Sequence, residues 1–231
     1  MTGGNYTSGL FGAVQGDLTV MNCGVEGDII TKGQRCGGLF GSIVTKAHYT
    51  GPVKATNCYY NGNISGTGQQ IGGLVGYTNH AIEITNCYAT GDVTSTTSGA
   101  AGLVGAIDVT GSVVTKSIAW NKNINCPRAA NNSWAPGGVI GAARYAGTYS
   151  QCIRRADMVL VDGANAMVLV DQDDFVNAFP AAPYKPASNE YAQQAYHGKA
   201  AAAGKTASAV AKDLAWDTAV WDLSGDLPKL K

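Results

Sequence analysis

The chain has 231 residues and a mass of 23.8 kDa, and 45% of its residues are apolar, which is enough for one sizeable hydrophobic core. Sixteen Lys and Arg balance sixteen Asp and Glu, so the composition argues against a nucleic-acid-binding or polybasic membrane-binding surface. Charged residues make up only 14%, and no apolar run approaches the roughly 18 residues of a transmembrane helix. The N-terminal residues also lack the charged and apolar regions of a signal peptide.

Glycine is unevenly distributed along the chain. Of the 31 glycines, 27 precede residue 156, and the remainder of the chain is rich in alanine instead. This shift predicts a boundary near residue 155. Residues 1–155 are predicted to form a repeat domain of turns and short strands, and residues 156–231 a final coil with a C-terminal capping segment.

An internal repeat of about 29 residues is the strongest pattern in the first part. The string Gly-Leu-Phe/Val-Gly occupies residues 9–12, 38–41, 73–76 and 102–105, and Gly-Val-Ile-Gly occupies residues 138–141. Each copy is followed by a second marker, whose Cys or Ser lies 14 to 20 residues after the first glycine of the string. The markers are Asn22-Cys23, Asn57-Cys58, Asn86-Cys87, Lys116-Ser117 and Gln151-Cys152.

Each repeat is predicted to form one coil of a solenoid. In the third unit, Ile82 and Ile84 alternate inward with the period of a strand, and Cys87 continues the inward set only if the chain bends at Asn86. Asparagine tolerates the left-handed backbone that such a corner needs. Short strands between corners indicate an all-β fold, a right-handed parallel β-helix of about five rungs with a mixed, partly helical C-terminal cap. An inner aliphatic ladder is expected from Leu10, Leu39, Leu74, Leu103 and Val139.

The second marker has a structural and a functional interpretation. Cys23, Cys58, Cys87 and Cys152 occupy equivalent places, and they are predicted to be a ladder of buried free thiols rather than disulfides, because Ser117 fills the same place without sulfur. The preceding asparagines are predicted to form a stacked amide ladder at an inner corner. The pattern does not favour zinc, because the chain has no CxxC pair and its three histidines are scattered.

Carboxylates bear on the question of catalysis. Glutamate occurs only three times, and Asp28 and Asp92 recur at a turn of the repeat. The one cluster comprises Asp171, Asp173 and Asp174, with Asp162 nearby, and its spacing lacks the glycine and distal glutamate of a calcium-binding EF-hand loop. A solvated loop is the favoured interpretation and a calcium site the alternative. We therefore assign no catalytic, cofactor-binding or metal-binding residues and expect no cofactor.

Aromatic side chains give the best indication of binding, since sugar rings stack on them. Tyr59 and Tyr88 follow the cysteines and are expected to point outward, and further aromatic residues lie on or beside the rungs: Tyr60, Trp120, Trp134, Tyr145 and Tyr149. No particular ligand-binding residue is assigned, because exposed tyrosines are also ordinary on β-solenoids.

The C-terminal part is predicted to cap the solenoid. Thr206 is a candidate N-cap for a short helix through Leu214. Trp216 and Trp221 are expected to close the solenoid end, lying against an open edge or a flank of the solenoid. No comparable cap precedes Gly9. The sequence is therefore expected to be part of a longer array, or to have its first rung covered by another element.

The repeat resembles a known family. Gly-Gly-Leu-Val-Gly at residues 72–76 followed by Asn-Cys-Tyr at 86–88 is similar to the GLUG repeat, and residues 216–223 and 227–230 resemble the segment that often closes such arrays. The resemblance covers roughly residues 8–155 and 206–231. It implies a large secreted or surface-anchored bacterial protein, often adhesin-like and from gut commensals. Some bacterial IgA-specific proteases carry the repeat outside their catalytic domain.

These observations favour a non-enzymatic, adhesin-like module at the bacterial outer surface or in the extracellular medium. Its expected partners are host or bacterial surface glycans or proteins, with no nucleic acid and no membrane-spanning segment. Two alternatives remain open. One is a carbohydrate-active β-helix enzyme, either a polysaccharide lyase or a glycosidase, and the other is a passive stalk of a larger surface protein.

Overall fold

The computed structural model describes residues 1–46, 48–126, 134–175 and 195–231. Within these ranges almost all regular structure is β, and the one helix is Ala207–Asp213. The strands are short and pair in parallel from one coil to the next. The predicted fold class, a parallel β-helix, is therefore confirmed.

Five sheets run along the solenoid, and each complete coil visits sheets B, C, D, E and A in that order. Sheet A comprises Thr2–Gly3, Ile29–Thr31, Ile64–Gly66, Val93–Ser95, Asn123–Cys126, Val159–Asp162 and Asn165–Ala166. Sheet B comprises Cys36–Gly37, Ile71–Gly72 and Ala100–Ala101. Sheet C comprises Phe11–Val14, Phe40–Ile43, Val75–Thr78, Val104–Ile107 and Ile140–Ala143.

The other two solenoid sheets flank the second marker, with sheet D before it and sheet E after it in each coil. Sheet D comprises Thr19–Met21, Val53–Thr56, Ile82–Thr85, Val113–Thr115, Thr148–Ser150 and Asp174–Phe175. Sheet E comprises Gly24–Glu26, Tyr59–Asn61, Tyr88–Thr90, Ile118–Ala119, Ile153–Arg154 and Lys199–Ala200. Outside the solenoid, Trp221–Asp222 and Lys229–Leu230 form a small antiparallel pair.

The predicted aliphatic ladder occupies the solenoid core. Leu39, Leu74, Leu103 and Val139 are all fully buried. Leu10 is 39% exposed, because it belongs to the first coil, which has a neighbouring coil on one side only among the described residues. The period-2 pattern thus predicts the inward set, and stacking on both sides completes its burial.

Close backbone approach explains the glycines of the repeat string. A Cβ atom on Gly73 would lie 2.0 Å from the carbonyl oxygen of Gly102 in the next coil. A Cβ atom on Gly76 would lie 2.5 Å from both the carbonyl oxygen of Gly41 and the backbone nitrogen of Cys36. Any side chain would push the coils apart, so the string is a packing signature.

The second marker forms the predicted corner. Asn22, Asn57 and Asn86 have left-handed backbones with φ of 52°, 54° and 53°, and Lys116 and Gln151 keep the same conformation at 47° and 52°. The corner therefore survives where the sequence departs from asparagine. The amide ladder also forms: Asn22 is exposed, Asn57 is buried and Asn86 is half-buried, so the ladder is only partly enclosed at the corner.

All six cysteines are free. Cys58, Cys87 and Cys152 are fully buried with Ser117 between the last two, whereas Cys23 in the first coil is half-buried. The predicted thiol ladder is present as an inward stack.

The C-terminal segment covers a flank of the solenoid. The predicted helix is confirmed, and Thr206 is its N-cap, accepting a hydrogen bond from the backbone nitrogen of Ala209. Trp216 and Trp221 lie against a flank of the solenoid, one of the two places expected for them, and do not close its end. They pack on the outer side of sheet E, in one cluster with Tyr88 and Ile118. This position buries aromatic surface that would otherwise face water.

Other segments cover the last coil. Lys199–Ala200 pairs with Ile153–Arg154, and Tyr196 bridges to Ile140. Met167 and Leu169 pack against the core. None of the described helices has the length and apolar character needed to cross a membrane.

Candidate functional site

The aromatic residues that the sequence singles out are mostly not available to a ligand. Tyr60 and Tyr149 lie inside the core at 0% and 1% exposure, so they cannot contribute to a binding surface. Tyr59 and Tyr88 do point outward, stacked with ring centroids 5.1 Å apart, but the C-terminal segment buries Tyr88. The half-buried aromatic residues that remain are Tyr59, Trp120, Trp134 and Tyr145.

Trp120 lines a cleft between the solenoid and the C-terminal segment. The cleft has a volume of about 960 Å³ and is open to solvent. Asn61, Asp92 and Arg155 contribute from the solenoid corner between sheets E and A, and residues 203–206 and 226–227 contribute from the opposite wall. This volume lies within the usual range of small-molecule sites, about 300–1,000 Å³.

The Trp120 wall of the cleft is held by backbone pairing and by one ion pair. The backbone nitrogens of Trp120 and Arg155 donate to the carbonyl oxygens of Ala89 and Ala119 at 2.8 and 2.9 Å. The Arg155 guanidinium lies 6.0 Å from the centroid of the Trp120 ring, and it binds both carboxylate oxygens of Asp157. These hydrogen bonds hold the pKa of the Asp157 carboxyl below its usual value. The indole is therefore positioned before any ligand arrives.

Asp92 belongs to a side-chain ladder along the same corner. Its two carboxylate oxygens accept from the backbone nitrogen and side-chain amide of Asn123, at 3.1 and 2.9 Å. Asn63 in turn accepts from the backbone nitrogen of Asp92, and Asp28 from that of Asn63, each at 2.8 Å. The alternation of aspartate and asparagine keeps like charges apart, and it confirms the turn role predicted for Asp28 and Asp92.

Four polar groups in the cleft have no hydrogen-bonding or ion-pair partner among the described residues. They are the indole N–H of Trp120, the side-chain nitrogen of Asn61, the ammonium of Lys122 and the carboxylate of Asp226. The side-chain oxygen of Asn61 is occupied, since it accepts from the Thr90 hydroxyl at 2.6 Å. The cleft thus offers three donors and one acceptor.

The aspartate cluster lies elsewhere, at the last coil. Asp171 pairs with the buried Arg154 at 2.8 Å and accepts from the backbone nitrogen of Ala200 at 3.0 Å. Asp173 pairs with Lys199 at 3.2 Å. The side chain of Asp174 lies outside the described part of the structure, and Asp162 ends a strand of sheet A. In the described residues, no three potential metal ligands are grouped together.

Sequence reasoning noticed Trp120 but missed its neighbours in the cleft. The available signal was the variant fourth unit, in which residues 117–121 place a tryptophan just beyond the corner. No sequence pattern predicts that Asp226 lies near Trp120, because the two residues are about 100 positions apart and only the folding of the C-terminal segment brings Asp226 to the cleft.

The comparisons with known proteins agree with this coil geometry. A family model described as "The GLUG motif" matches residues 67–94. The chain carries a GLUG motif. The matched GLUG residues include the strands of one coil, from Ile71–Gly72 of sheet B to Val93–Ser95 of sheet A, with only the last residue of the latter beyond the match.

A solved structure has the same fold as this GLUG-containing chain. It is the crystal structure of a candidate immunoglobulin A1 protease from Bacteroides ovatus, which aligns with a TM-score of 0.65 at 22% identity. The alignment covers 92% of the present chain but only 57% of the Bacteroides chain. No curated protein matches the sequence.

Proposed function

We propose that this chain is a non-enzymatic, adhesin-like binding module, and that the cleft beside Trp120 is its binding surface. The observation that carries the proposal is a pre-positioned, half-buried indole next to polar groups without partners. Such a combination of one apolar ring and a few convergent polar groups is typical of ligand sites. A passive stalk has no need of it.

The arrangement of the carboxylates in the cleft does not favour the alternative function, a carbohydrate-active enzyme. A glycosidase needs two carboxyl groups, one of which must be free to protonate the leaving group. Asp157 is held ionised by Arg155, and both oxygens of Asp92 are occupied by Asn123. Asp226 could supply the acid, but the chemistry also needs an ionised carboxylate that is free to act as nucleophile or base. Both oxygens of Asp157 are bound by Arg155 and both oxygens of Asp92 by Asn123, so neither residue provides one.

The proposed location is the bacterial outer surface or the extracellular medium. The GLUG motif and the likeness to a Bacteroides β-helix support it, since GLUG repeats are found mostly in secreted and surface proteins. Host or bacterial surface glycans and proteins are then the partners within reach.

Binding to mucin-coated surfaces tests the proposal. Labelled protein should bind saturably, and Trp120→Ala should weaken that binding. Trp134→Ala is the matched control, because Trp134 is also half-buried beneath an arginine, at 5.1 Å, but lies outside the cleft. Absence of saturable binding would favour the stalk. Release of sugar from polysaccharides, or cleavage of immunoglobulin A, would favour an enzyme.

A further inference from the structure

We infer that the cleft takes an uncharged carbohydrate rather than an anionic glycan or a peptide. The inference rests on the proposed binding function and adds the chemical class of the ligand. Three properties of the cleft lead to it: its charge balance, its hydrogen-bonding groups and the strands that border it.

The charges of the cleft cancel. Its cations are Lys122, Arg155 and Lys205, and its carboxylates are Asp92, Asp157 and Asp226. Arg155 is neutralised by Asp157, and Lys205 by Asp213 on the helix. The remaining cation of the lining is Lys122, which makes no ion pair among the described residues but acts electrostatically on Asp157. The remaining carboxylates of the lining are Asp92, which is bound by the neutral Asn123, and Asp226. A sulfated or carboxylated glycan needs an excess of positive charge, which this wall does not supply.

The unpartnered groups match hydroxyls. Each sugar hydroxyl donates one hydrogen bond and accepts others. The indole N–H of Trp120, the amide of Asn61 and the ammonium of Lys122 can donate to such oxygens, and the carboxylate of Asp226 can accept from them. A ligand bearing several hydroxyls satisfies both kinds of group without bringing a charge of its own.

Trp120 supplies the apolar part of the site. Its ring packs partly against the cluster around Trp216 and Trp221, which fixes its orientation. The C–H face of a pyranose is flat and apolar, and it packs on an aromatic ring of this size. The volume of about 960 Å³ leaves room for more than a single ring along the cleft.

The bordering strands disfavour an extended peptide. An extended peptide can bind by adding a strand to a free sheet edge, where its backbone supplies the hydrogen bonds. Tyr88–Thr90 pairs with Tyr59–Asn61 on one side and with Ile118–Ala119 on the other, so its backbone groups are already engaged. The cleft therefore recognises its ligand through side chains, as carbohydrate sites do.

A glycan array followed by calorimetry tests the inference. The full chain should bind uncharged oligosaccharides in preference to sialylated, sulfated or uronic-acid glycans. Raising NaCl from about 0.05 to about 0.5 M should change the Kd less than about threefold, because no net charge is neutralised on binding. Trp120→Ala should weaken binding at least about tenfold, equivalent to a loss of about 1.4 kcal/mol.

Two further variants keep the test independent of folding. Asp226→Asn and Lys122→Ala change exposed side chains and should each weaken binding with an unchanged Tm, whereas Trp134→Ala should bind like the wild type. Binding of anionic glycans that Trp120→Ala abolishes would overturn the uncharged class and leave the binding function intact. Binding of neutral glycans that Trp120→Ala retains would place the site elsewhere. Binding to mucin protein but to no glycan would overturn the inference alone, and binding to nothing would overturn both.

Discussion

The side-chain amide of Asn86 donates to the side-chain oxygen of Asn57 at 3.3 Å, one coil away, and both residues have left-handed backbones. Asn57 repeats this contact toward Asn22 at 3.1 Å. One residue type therefore serves two purposes at this corner. It tolerates the turn, and it links each coil to the next.

Replacing Asn86 separates these two contributions. Asn86→Ala removes the inter-coil hydrogen bond and places a Cβ-bearing residue without a polar side chain at positive φ. We expect a loss of about 1–3 kcal/mol in the free energy of unfolding. Asn86→Gly relieves the backbone strain but still lacks the amide, so it should fall between wild type and Asn86→Ala. Urea melts with exposed Thr96→Ala as control measure this. Equal stability of all four proteins would contradict the ladder.

Gly76→Ala tests the packing explanation of the repeat string. The new methyl group would lie 2.5 Å from the Gly41 oxygen and 2.6 Å from the Arg35 carbonyl carbon, and neither backbone atom can move alone. We expect a loss of about 3 kcal/mol or more, at the upper end for overpacked sites. Gly225→Ala is the control, since its nearest contact is 3.9 Å away. A Gly76→Ala protein as stable as the control would refute the explanation.

The thiol ladder makes a prediction about reactivity. Burial raises the pKa of Cys36 and of Cys152 to about 12, and burial likewise raises the pKa of Cys87, so these three thiols form little reactive thiolate. The hydrogen bond with Cys87 lowers the pKa of Cys58 to about 7, but Cys58 is fully buried and therefore inaccessible to a reagent. Ellman's reagent should find at most one fast thiol in the native protein, the half-buried Cys23, and all six after denaturation. A denatured count near two would show disulfides instead.

We expect His197 to lower the free energy of unfolding at acidic pH. Burial, and then the charge of Arg154, lower its pKa to about 4, whereas the unfolded chain has a value of about 6.5. Its neutral ring accepts from the backbone nitrogen of Gly138 at 3.1 Å. The stability it contributes is therefore complete above pH 6.5 and is lost as the pH falls toward 4, by at most about 1.4 kcal/mol per pH unit.

Urea melts across that pH range check the contribution of His197. His197→Gln should flatten the dependence of the unfolding free energy on pH between about 6.5 and 4. His48→Gln, at an exposed histidine, should keep the wild-type slope. If His197→Gln leaves the slope unchanged, another group causes the acid sensitivity.

The C-terminal segment should be required for a soluble monomer. A chain ending at Gly204 loses Trp216 and Trp221 and uncovers Tyr88 and Ile118 on sheet E. We expect oligomers or aggregates in size-exclusion chromatography, formed through this apolar flank rather than through the strand edge of the last coil.

A point variant measures the same contact without truncation. Trp221 is fully buried, so Trp221→Ala should cost about 3–5 kcal/mol. Lys229→Ala, exposed on the paired strand, should cost almost nothing. If the truncated chain stays monomeric and has the same melting temperature as the full chain, the C-terminal segment is not required for stability.

The sequence alone determined the coil and its inward aliphatic residues, although it did not reveal that Tyr60 and Tyr149 lie in the core. Because strand side chains alternate and each corner needs a left-handed residue, the spacing of Leu74, Ile84 and Asn86 is sufficient to predict the coil. The helix after Thr206 was equally predictable, since N-capping is a local property. Both follow from short-range properties of the chain.

Only the tertiary structure decided what happens on the outside of the coil. Tyr88 was predicted to face outward, and it does, yet its hydroxyl donates to the Pro228 carbonyl oxygen, 140 residues later in the chain. The alternation of side chains along a strand predicts which of them point into the core and which point outward. It does not predict which of the outward side chains a distant segment will cover. Burial of the aromatic surface of Tyr88, Trp216 and Trp221 drew the C-terminal segment onto sheet E, and that contact created the cleft in which Trp120 lies.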